Sequence, residues 1–507
     1  MQETVLNRIQ IQRKLVKGEV LKLDSHFDLL PVRKYRDYCG ITSFRCNVDS
    51  DGPLAVKVLL YDSACSETVV DSPDFEAGEN VVAGFCIEAL EDCTVYSMYI
   101  TCQAEPKEIN LALCICTYHL EDAVRDKVAK VGDLAEIYIT DNGQSLGDVP
   151  GAHVFPSPNY GGSSGFTNSL VEAAKNPVIT HFILNDDDAD LDPEVLFRTK
   201  AFLSLCQKDV CICGSMIDAD DRCSIVESGS RFEGTEILPF DKDCNITNLE
   251  DNVKMERPKD IQYGGWWYFV LSRSAFEETG LPLPLFIKMD DVEYGCRINR
   301  EKITLVGVSV FHRDFASKYS PVNYYYYIRN LLVTGCVSGK IEKHHLDEII
   351  SKIYLEIACY RYSNAEMMIL AVKDFLKGPE HVFNQYKEGM IKPLTPVKII
   401  PLWDFIETPI AKPAGFSFRK YTMNGALLPS KGKVRRKIGD MQTSDFYRVG
   451  EVLYEIDDES GFLADKSLLS SISLTVKTKT IGRTLGRDFD RLSKQYVLYN
   501  ETYTNSL

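Results

Sequence analysis

The chain has 507 residues, 45% of them apolar and 26% charged, which predicts a globular protein of two to four domains. Its formal net charge of −16 argues against a general nucleic-acid-binding protein. The sixteen cysteines include no Cys-x-x-Cys pair, so buried thiols are expected rather than a disulfide framework or a zinc site.

The charge is unevenly distributed. Residues 412–507 contain 16 basic and 11 acidic side chains, a net charge of +5, whereas the remainder carries −21. A basic end on an acidic body indicates an anionic partner such as a membrane surface, although ordinary variation between domains explains it equally well. The N-terminus lacks the apolar core of a signal peptide, and no apolar run approaches the roughly 18 residues that span a bilayer. A cytoplasmic location, with peripheral contact to the inner face of the plasma membrane, is therefore expected.

Residues 1–108 alternate between short apolar runs and turn-forming segments, as at 43–48, 54–61, 81–87 and 94–102. This spacing predicts a small β-sandwich, which would either bind sugar or brace the rest of the chain.

Residues 109–320 change rhythm, because fully apolar strands at 111–116 and 136–140 alternate with helical segments such as 121–131. The alternation predicts a doubly wound, mostly parallel sheet, whose ligands lie beyond the carboxyl ends of the strands. A glycine-rich loop is expected at 159–165, followed by a helix over 167–174. Another helix is expected to begin with Asp192 as its N-cap and Pro193 as its first residue.

The C-terminal part is divided into a helical region, 321–392, and a mixed region, 393–507. In the mixed region the alternating run 468–477 favours a strand.

An acidic cluster follows the mainly apolar run 178–184. Asp186 and Asp188 are two residues apart, so in extended chain they share a face while Asp187 points elsewhere. Two convergent carboxylates suit a hard divalent cation, Mn2+ or Mg2+, and the alternative is a solvated acidic turn. His312 follows another apolar strand and is either structural or a third ligand.

A second acidic cluster comprises Asp290, Asp291 and Glu293. Just upstream, Trp266 and Trp267 follow two glycines. Flat apolar rings beside carboxylates suit a sugar-binding cleft, whereas the alternative is that the two indoles fill a core.

Taken together, the motifs resemble those of inverting glycosyltransferases with the nucleotide-sugar-binding type-A (GT-A) fold. More closely, they resemble the galactan-type galactofuranosyltransferases, over about residues 109–332. The matching features are the 185–188 acidic motif, Gly265 with the two tryptophans, the 284–293 motif, His312, the 159–165 glycine loop and the Asp141–Gly143 turn.

The resemblance implies a role for each of these residues. Asp186, Asp188 and His312 would hold the cation, and Asp291 would be the catalytic base. The donor, a UDP-sugar, would be bound by Thr117, Asp141, Asn142, Gly161, Gly162, Asp187 and Trp266. The acceptor would be bound by Trp267, Asp290 and Glu293. The implied function is transfer of galactofuranose from UDP-galactofuranose to a lipid-linked glycan in cell-envelope polysaccharide biosynthesis. A homo-oligomer is a further expectation.

Alternatives remain open from the sequence. Many relatives carry an arginine where this chain has Leu120, which puts one nucleotide contact in doubt. A rhamnosyltransferase using dTDP-rhamnose shares much of the pattern, and a non-catalytic carbohydrate-binding protein would also use the tryptophans. A two-metal phosphohydrolase is disfavoured because the chain has only eight histidines.

Overall fold

The computed structural model describes residues 2–313, 319–402, 405–439, 442–457 and 459–504. The chain forms two compact units. The first unit comprises Met1–Phe232, Ile237–Leu281 and Tyr294–Arg313; the second comprises Glu233–Glu236, Pro282–Glu293 and Asp314–Leu507. Within the described ranges the units together contain thirteen α-helices and six sheets, as expected of a multidomain chain.

The N-terminal part of the first unit consists of two four-stranded antiparallel sheets, with orders β1-β8-β3-β6 and β2-β7-β4-β5. Rings from the two sheets meet, since the centroids of Phe75 and Phe85 are 6.2 Å apart. The predicted β-rich character is confirmed. The elements are β1 (Gln2–Leu15), β2 (Val20–Leu23), α1 (Val32–Lys34), a π-helical turn (Tyr35–Cys39), β3 (Ser43–Ser50), β4 (Leu54–Tyr61), β5 (Glu67–Val70), β6 (Asp74–Glu76), β7 (Val82–Ala89) and β8 (Cys93–Ala104).

Strands and helices alternate from residue 111 onward. The predicted helix over 121–131 is present, and Asp192 caps the next predicted helix by accepting a hydrogen bond from the Glu194 amide at 2.8 Å. The elements are β9 (Leu111–Thr117), α2 (Glu121–Val131), β10 (Glu136–Asp141), β11 (Ala152–Pro156), α3 (Gly161–Ala174), β12 (His181–Leu184), α4 (Pro193–Leu205), β13 (Val210–Cys213), β14 (Ser215–Asp218), β15 (Ile225–Glu227), β16 (Ser230–Glu233), β17 (Glu236–Pro239), α5 (Leu249–Met255), β18 (Phe269–Ser272), α6 (Arg273–Thr279), α7 (Asp290–Arg297), β19 (Glu301–Ile303) and β20 (Ser309–His312).

A seven-stranded sheet, with the order β11-β10-β9-β12-β18-β13-β19, organises this part of the first unit. Neighbouring strands from β11 to β12 are parallel, while β18 runs antiparallel to both of its neighbours. Asp141 at the end of β10 pairs with Thr117 at the end of β9. The carboxyl ends of β9, β10 and β12 therefore share one edge, where ligands of such sheets bind.

The sandwich strands and the seven-stranded sheet contribute to one continuous apolar core in the first unit. Arg8 of β1 also forms an ion pair with Glu194 of α4, with 3.1 Å between Nη2 and Oε2. A domain boundary near residue 108 stays a prediction.

The second unit is built mainly from helices and a four-stranded sheet with the order β21-β24-β23-β22. Its helical part includes a helix that begins at Pro321, and the division of the chain near that residue stays a prediction. The elements are α8 (Pro321–Val337), α9 (Leu346–Ala358), α10 (Tyr362–Leu376), α11 (Pro379–Asn384), β21 (Ile399–Pro401), α12 (Phe416–Tyr421), β22 (Lys433–Lys437), β23 (Glu451–Glu455), β24 (Ser460–Asp465) and α13 (Leu468–Thr504).

The strand predicted at 468–477 is wrong, because this run begins the 37-residue helix α13. Buried positions along α13, including Leu474, Ile481 and Leu485, recur at helical spacing, and the helix packs on α8, α9 and α10. Tyr496 stacks on Phe375 with centroids 4.7 Å apart. Tertiary packing thus outweighs the local β preference of the alternating run. Long as α13 is, no helix among the described residues is apolar enough over a sufficient length to cross a membrane.

Candidate functional site

Three potential metal ligands converge in the first unit: Asp186 and Asp188 from the turn after β12, and His312 from the end of β20. One ligand atom from each lies within 4.8 Å of the others, the only such His/Cys/Asp/Glu group among the described residues. His312 Nε2 is 2.9 Å from Asp188 Oδ1. The expectation that Asp186 and Asp188 face the same way is thereby met, and the histidine completes the set.

The chemistry of these groups fits a divalent cation. His312 Nδ1 is 2.6 Å from the Arg313 carbonyl oxygen, so its N–H donates there and Nε2 is left to face the acids. Burial raises the pKa of Asp186 to about 7, with Asp188 and Asp187 adding to the rise and His312 and Lys127 opposing it. A cation among two carboxylates and an imidazole would offset this repulsion, and these are ligand types used by Mn2+ and Mg2+.

Lys127 of α2 stabilises the acidic turn, a role that the sequence motifs did not predict. Its ammonium, almost fully buried, donates to Asn185 Oδ1 at 2.6 Å and to the Asp186 carbonyl oxygen. Burial lowers its pKa to about 8, against the attraction of the surrounding aspartates. The available signal was a lysine on the otherwise apolar face formed by Val124, Val128 and Val131.

The predicted donor-binding residues lie beside this turn. Asp187 turns away from the metal ligands and accepts a hydrogen bond from the Tyr118 amide at 3.2 Å, and burial raises its pKa. Thr117 is buried at the end of β9. Asp141 uses both carboxylate oxygens to hold the following loop, accepting from the Gly143 amide at 3.0 Å and the Leu146 amide at 2.8 Å. Asp141 therefore shapes the loop.

Asn142 links this loop to α3, because its Nδ2 donates to the Gly161 carbonyl oxygen at 3.1 Å. Its Oδ1 is buried and has no hydrogen-bond partner among the described residues. Trp266 Nε1 is likewise buried and has no hydrogen-bond partner among the described residues. Each of these two orphaned polar atoms belongs to a residue assigned to the donor by resemblance.

The predicted glycine loop is in part a helix: α3 begins at Gly161, six residues earlier than expected. Only Gly161 needs glycine's backbone freedom there, with φ +84°. At Gly165 an added Cβ would lie 2.2 Å from Cys116 Sγ, so the helix packs too closely on β9 for a larger residue. The glycines therefore serve close packing, and Gly162 follows Gly161 in the first turn of α3.

Both tryptophans are in the core of the first unit, each 4% exposed. Trp267 donates from Nε1 to the Gly214 carbonyl oxygen at 2.9 Å, and Trp266 meets Phe166 edge to face with centroids 5.0 Å apart. This burial favours the core-filling interpretation of the pair. Sugar binding by either indole stays an untested prediction.

The second acidic cluster lies in the second unit, where Asp290 and Asp291 begin α7. Burial raises the pKa of Asp291 to about 6, and its Oδ1 accepts from the Val292 amide at 2.7 Å. Glu293 is buried and accepts from the Leu283 amide at 3.2 Å, so it braces the approach to the cluster.

The segment before Asp290 is held in an unusual conformation. Phe286, Lys288 and Met289 have φ values of 75°, 65° and 65°, in the left-handed region that non-glycine residues rarely adopt. Such backbone persists only where its surroundings enforce it, and it concentrates at functional sites.

Asn330 of α8 enforces this backbone. Its Nδ2 is 3.0, 2.8 and 2.8 Å from the carbonyl oxygens of Leu285, Ile287 and Lys288, and the Arg329 guanidinium donates to Leu285 as well, at 2.7 Å. No local pattern in the sequence marks Asn330, because its importance comes from contacts with a segment more than 40 residues earlier.

We predict that Asn330→Asp strongly destabilises the second unit. The change removes the amide donor and places a carboxylate against three carbonyl oxygens, at a cost of about 2–3 kcal/mol or more. Chemical denaturation measures the change in unfolding free energy. Asn384→Asp, on the exposed surface of α11, is the matched control, and equal stability of the two variants would contradict the clamp role of Asn330.

Comparison with known proteins gives sequence relatives of one kind. No family model matches the chain. The galactofuranosyltransferase GlfT2 of Mycolicibacterium smegmatis is 27% identical over 327 residues, covering 56% of this chain and 50% of the relative. GlfT2 of Mycobacterium tuberculosis is 28% identical over 256 residues, covering 46% and 39%. The chain resembles galactofuranosyltransferases.

This finding confirms the resemblance drawn from the motifs. The chain spans half the length of these relatives or less, so the activity of the whole protein is a matter for proposal. Among solved structures, the mannosyltransferase PcManGT from Pyrobaculum calidifontis in complex with GDP-Man and Mn2+ aligns with a TM-score of 0.30 and 11% identity. The alignment covers 45% of this chain and 65% of that one, and a TM-score this low supports no conclusion about function.

Proposed function

We propose that the protein is a metal-dependent inverting glycosyltransferase of GT-A type that transfers galactofuranose from UDP-galactofuranose to a glycan. The observation that carries the proposal is the Asp186, Asp188 and His312 cluster at a carboxyl edge of strands, in a chain that resembles galactofuranosyltransferases. In this proposal the three residues hold Mn2+ or Mg2+. When bound, the cation would supply Lewis-acid stabilisation of the departing diphosphate.

The chain's own residues position the donor in this proposal. Asp187, Thr117 and Asn142 contact the nucleotide, together with the Gly161 and Gly162 backbone at the start of α3. The unpartnered Oδ1 of Asn142 and Nε1 of Trp266 support this assignment, since a buried polar atom without a partner costs free energy that a ligand can offset. Asp141 acts indirectly by holding the loop.

Asp291 is proposed as the base that takes the proton from the attacking acceptor hydroxyl. Inversion needs one base and no covalent intermediate, and the transition state resembles that of glycoside hydrolysis. With its pKa raised to about 6 by burial, Asp291 is mostly ionised at neutral pH and more basic than an ordinary aspartate. Asp290, Glu293 and Trp267 keep their proposed part in binding the acceptor.

Titration with nucleotides tests the donor assignment. We expect UDP to raise the melting temperature, with a much larger rise when Mn2+ is present, because a cation held by Asp186, Asp188 and His312 would strengthen the attraction for the diphosphate. Isothermal calorimetry with UDP, dTDP and GDP, each with and without Mn2+, provides affinities. Preference for dTDP would favour the rhamnosyltransferase alternative, which shares much of the motif pattern. Indifference to all three nucleotides would contradict a transferase.

A peripheral membrane contact, bringing the protein to a lipid-linked acceptor, is part of the proposal. The basic strand β22 supports membrane contact less than its sequence implies, because its basic side chains form ion pairs with acids of the same sheet. Lys433 is 2.8 Å from Glu451, and Arg435 is 3.5 Å from Glu455. Helix α12 supports membrane contact better. Phe416 is 74% and Tyr421 83% exposed on this short helix, which also carries basic residues. Exposed aromatic and basic side chains suit a bilayer interface.

We predict that the protein sediments with vesicles containing anionic lipid and that the double change Phe416→Ser and Tyr421→Ser weakens binding at least about tenfold. Added salt should weaken binding further, because charge attraction contributes. Tyr99→Ser, at a partly exposed tyrosine of β8, is the control and should bind as the unmodified protein does. Absence of sedimentation at low salt would remove membrane contact from the proposal.

Two further parts of the proposal also come from the resemblance. The product is a cell-envelope polysaccharide, and the protein associates with itself.

A further inference from the structure

A small cavity in the first unit lies apart from the donor residues described above. It has a volume of about 70 Å³ and is formed by the α1 turn, the segment around 257–261 and strand β19. In a chain with net charge −16, its wall contains five basic and only two acidic side chains. The basic residues are Arg33, Lys34, Arg257, Lys259 and Lys302, and the acidic ones are Asp37 and Glu301.

Lys34 is a mostly buried basic side chain in the wall of this cavity. It is 7% exposed, and its Nζ makes no hydrogen bond to any described residue. Its Nζ is 5.7 Å from the centroid of the Tyr38 ring. A mostly buried lysine that borders a cavity and has no hydrogen-bonded partner in the protein is costly to keep charged, and an anion in the cavity would offset that cost.

The neighbouring charges are largely committed elsewhere. Lys259 pairs with Asp241, and Lys302 Nζ donates to the carbonyl oxygen of Ile298 at 2.8 Å. Of the two acids in the wall, Glu301 accepts from the Tyr38 hydroxyl at 2.5 Å, and Asp37 is 2.9 Å from the Arg36 guanidinium. Neither acid of the wall forms a hydrogen bond or a close ion pair with Lys34.

Glu256, buried behind the wall, is the acid that most attracts Lys34. Its Oε1 accepts from the Val306 amide at 2.6 Å, whereas its Oε2 has no partner among the described residues. No hydrogen bond joins Glu256 to Lys34, and burial raises the pKa of Glu256. When this carboxylate and Asp241, the partner of Lys259, are counted with the wall, an excess of one positive charge remains.

We propose that this cavity binds a small tetrahedral oxyanion, either inorganic phosphate or the phosphate group of a monoester. Lys34 donates to it from the interior, and Arg257 does so from the exposed rim. The volume suits a single phosphate group, and no residue assigned to the sugar donor lines the cavity. Bound there, the anion ties the α1 turn of the N-terminal part to edge strand β19.

The test uses the full chain without divalent cation, with phosphate titrated against chloride at matched ionic strength. We expect saturable heat in calorimetry and a rising melting temperature. Lys34→Met keeps the volume of the side chain and should weaken phosphate binding at least tenfold. Lys208→Met is the matched control, since Lys208 stands 4.4 Å from the same Tyr38 ring but does not line the cavity, and its affinity should be unchanged.

Two further variants test the cavity in case Lys34→Met does not fold. Arg257→Ala alters an exposed side chain, so the protein should fold and bind phosphate less tightly. Glu256→Gln should bind phosphate more tightly because a repelling carboxylate is removed. Running every titration again with Asp188→Ala separates this cavity from the donor site. Glycerol phosphate distinguishes a monoester from free phosphate. Equal affinity in Lys34→Met and the unmodified chain, or no saturable binding in millimolar phosphate, overturns the proposal.

Discussion

Asp188→Ala should reduce sugar transfer on the order of 10³-fold or more while leaving the protein folded. The substitution removes one of the three converging ligands and also the partner of His312 Nε2, which lies 2.9 Å away. The remaining carboxylate and imidazole would then hold a divalent cation weakly, and the departing diphosphate would lose its charge stabilisation. UDP release and product formation, each measured over a range of Mn2+ concentrations, check the expectation.

Asp190→Ala is the control for this experiment. Asp190 is exposed and follows Asp188 by two residues, but it pairs with Lys130 at 3.0 Å and does not belong to the ligand cluster. Its loss should change transfer by less than about threefold, as expected for an exposed ion pair. If Asp188→Ala retained activity with unchanged dependence on Mn2+, the assigned metal centre would be wrong.

Asp291→Asn is expected to lower kcat by about 10²–10⁴-fold with little change in the affinity for UDP. Asparagine preserves the size of the side chain but cannot accept a proton. Because the base must be ionised and burial raises the pKa of Asp291 to about 6, transfer by the unmodified protein should increase as the pH rises through about 6 and then level off. A pH–rate profile of both proteins measures this increase in rate near pH 6. The increase should be missing from the residual activity of the variant.

The stability of the same variant separates catalysis from folding. A folded-state pKa above the ordinary aspartate value means that the folded protein binds this proton more tightly than the unfolded chain does. The stabilising contribution of the protonated form is therefore lost as the pH rises between about 4 and 6, and Asp291→Asn should be at least as stable as the unmodified protein at pH 7. Asp347→Asn, an exposed acid in the first turn of α9, should alter neither activity nor the pH profile.

The convergence of Asp186 and Asp188 was predictable because it depends on local rules. Apolar strands that end in acids, and the same-face relation of Asp186 and Asp188, indicate the edge of a parallel sheet and a cation there. His312 belongs to a different strand, so its partnership required the motif order of a family. The alternation of strands and helices likewise predicted β9, α2 and β10 with accurate bounds.

Residues whose roles depend on distant packing could not be predicted in this way. Lys127 and Asn330 stand on helices with no local sequence signal beyond a polar residue on a buried face. Helix α13 carries an alternating run that resembles a strand, and only its contacts with α8, α9 and α10 make it helical. The glycines at 161–165 signalled a loop, whereas their physical use is the close approach of α3 to β9.

The path of the backbone restricts how this protein can be dissected. The chain passes from one unit to the other after Phe232, Glu236, Leu281, Glu293 and Arg313, so neither unit is a continuous stretch of sequence. A fragment ending near residue 320 would retain the Asp186, Asp188 and His312 cluster. Its Pro282–Glu293 segment, however, would lack Asn330 and the rest of α8. Limited proteolysis or gene truncation at that point would thus deliver a damaged fragment, and the protein must be produced and assayed as a whole.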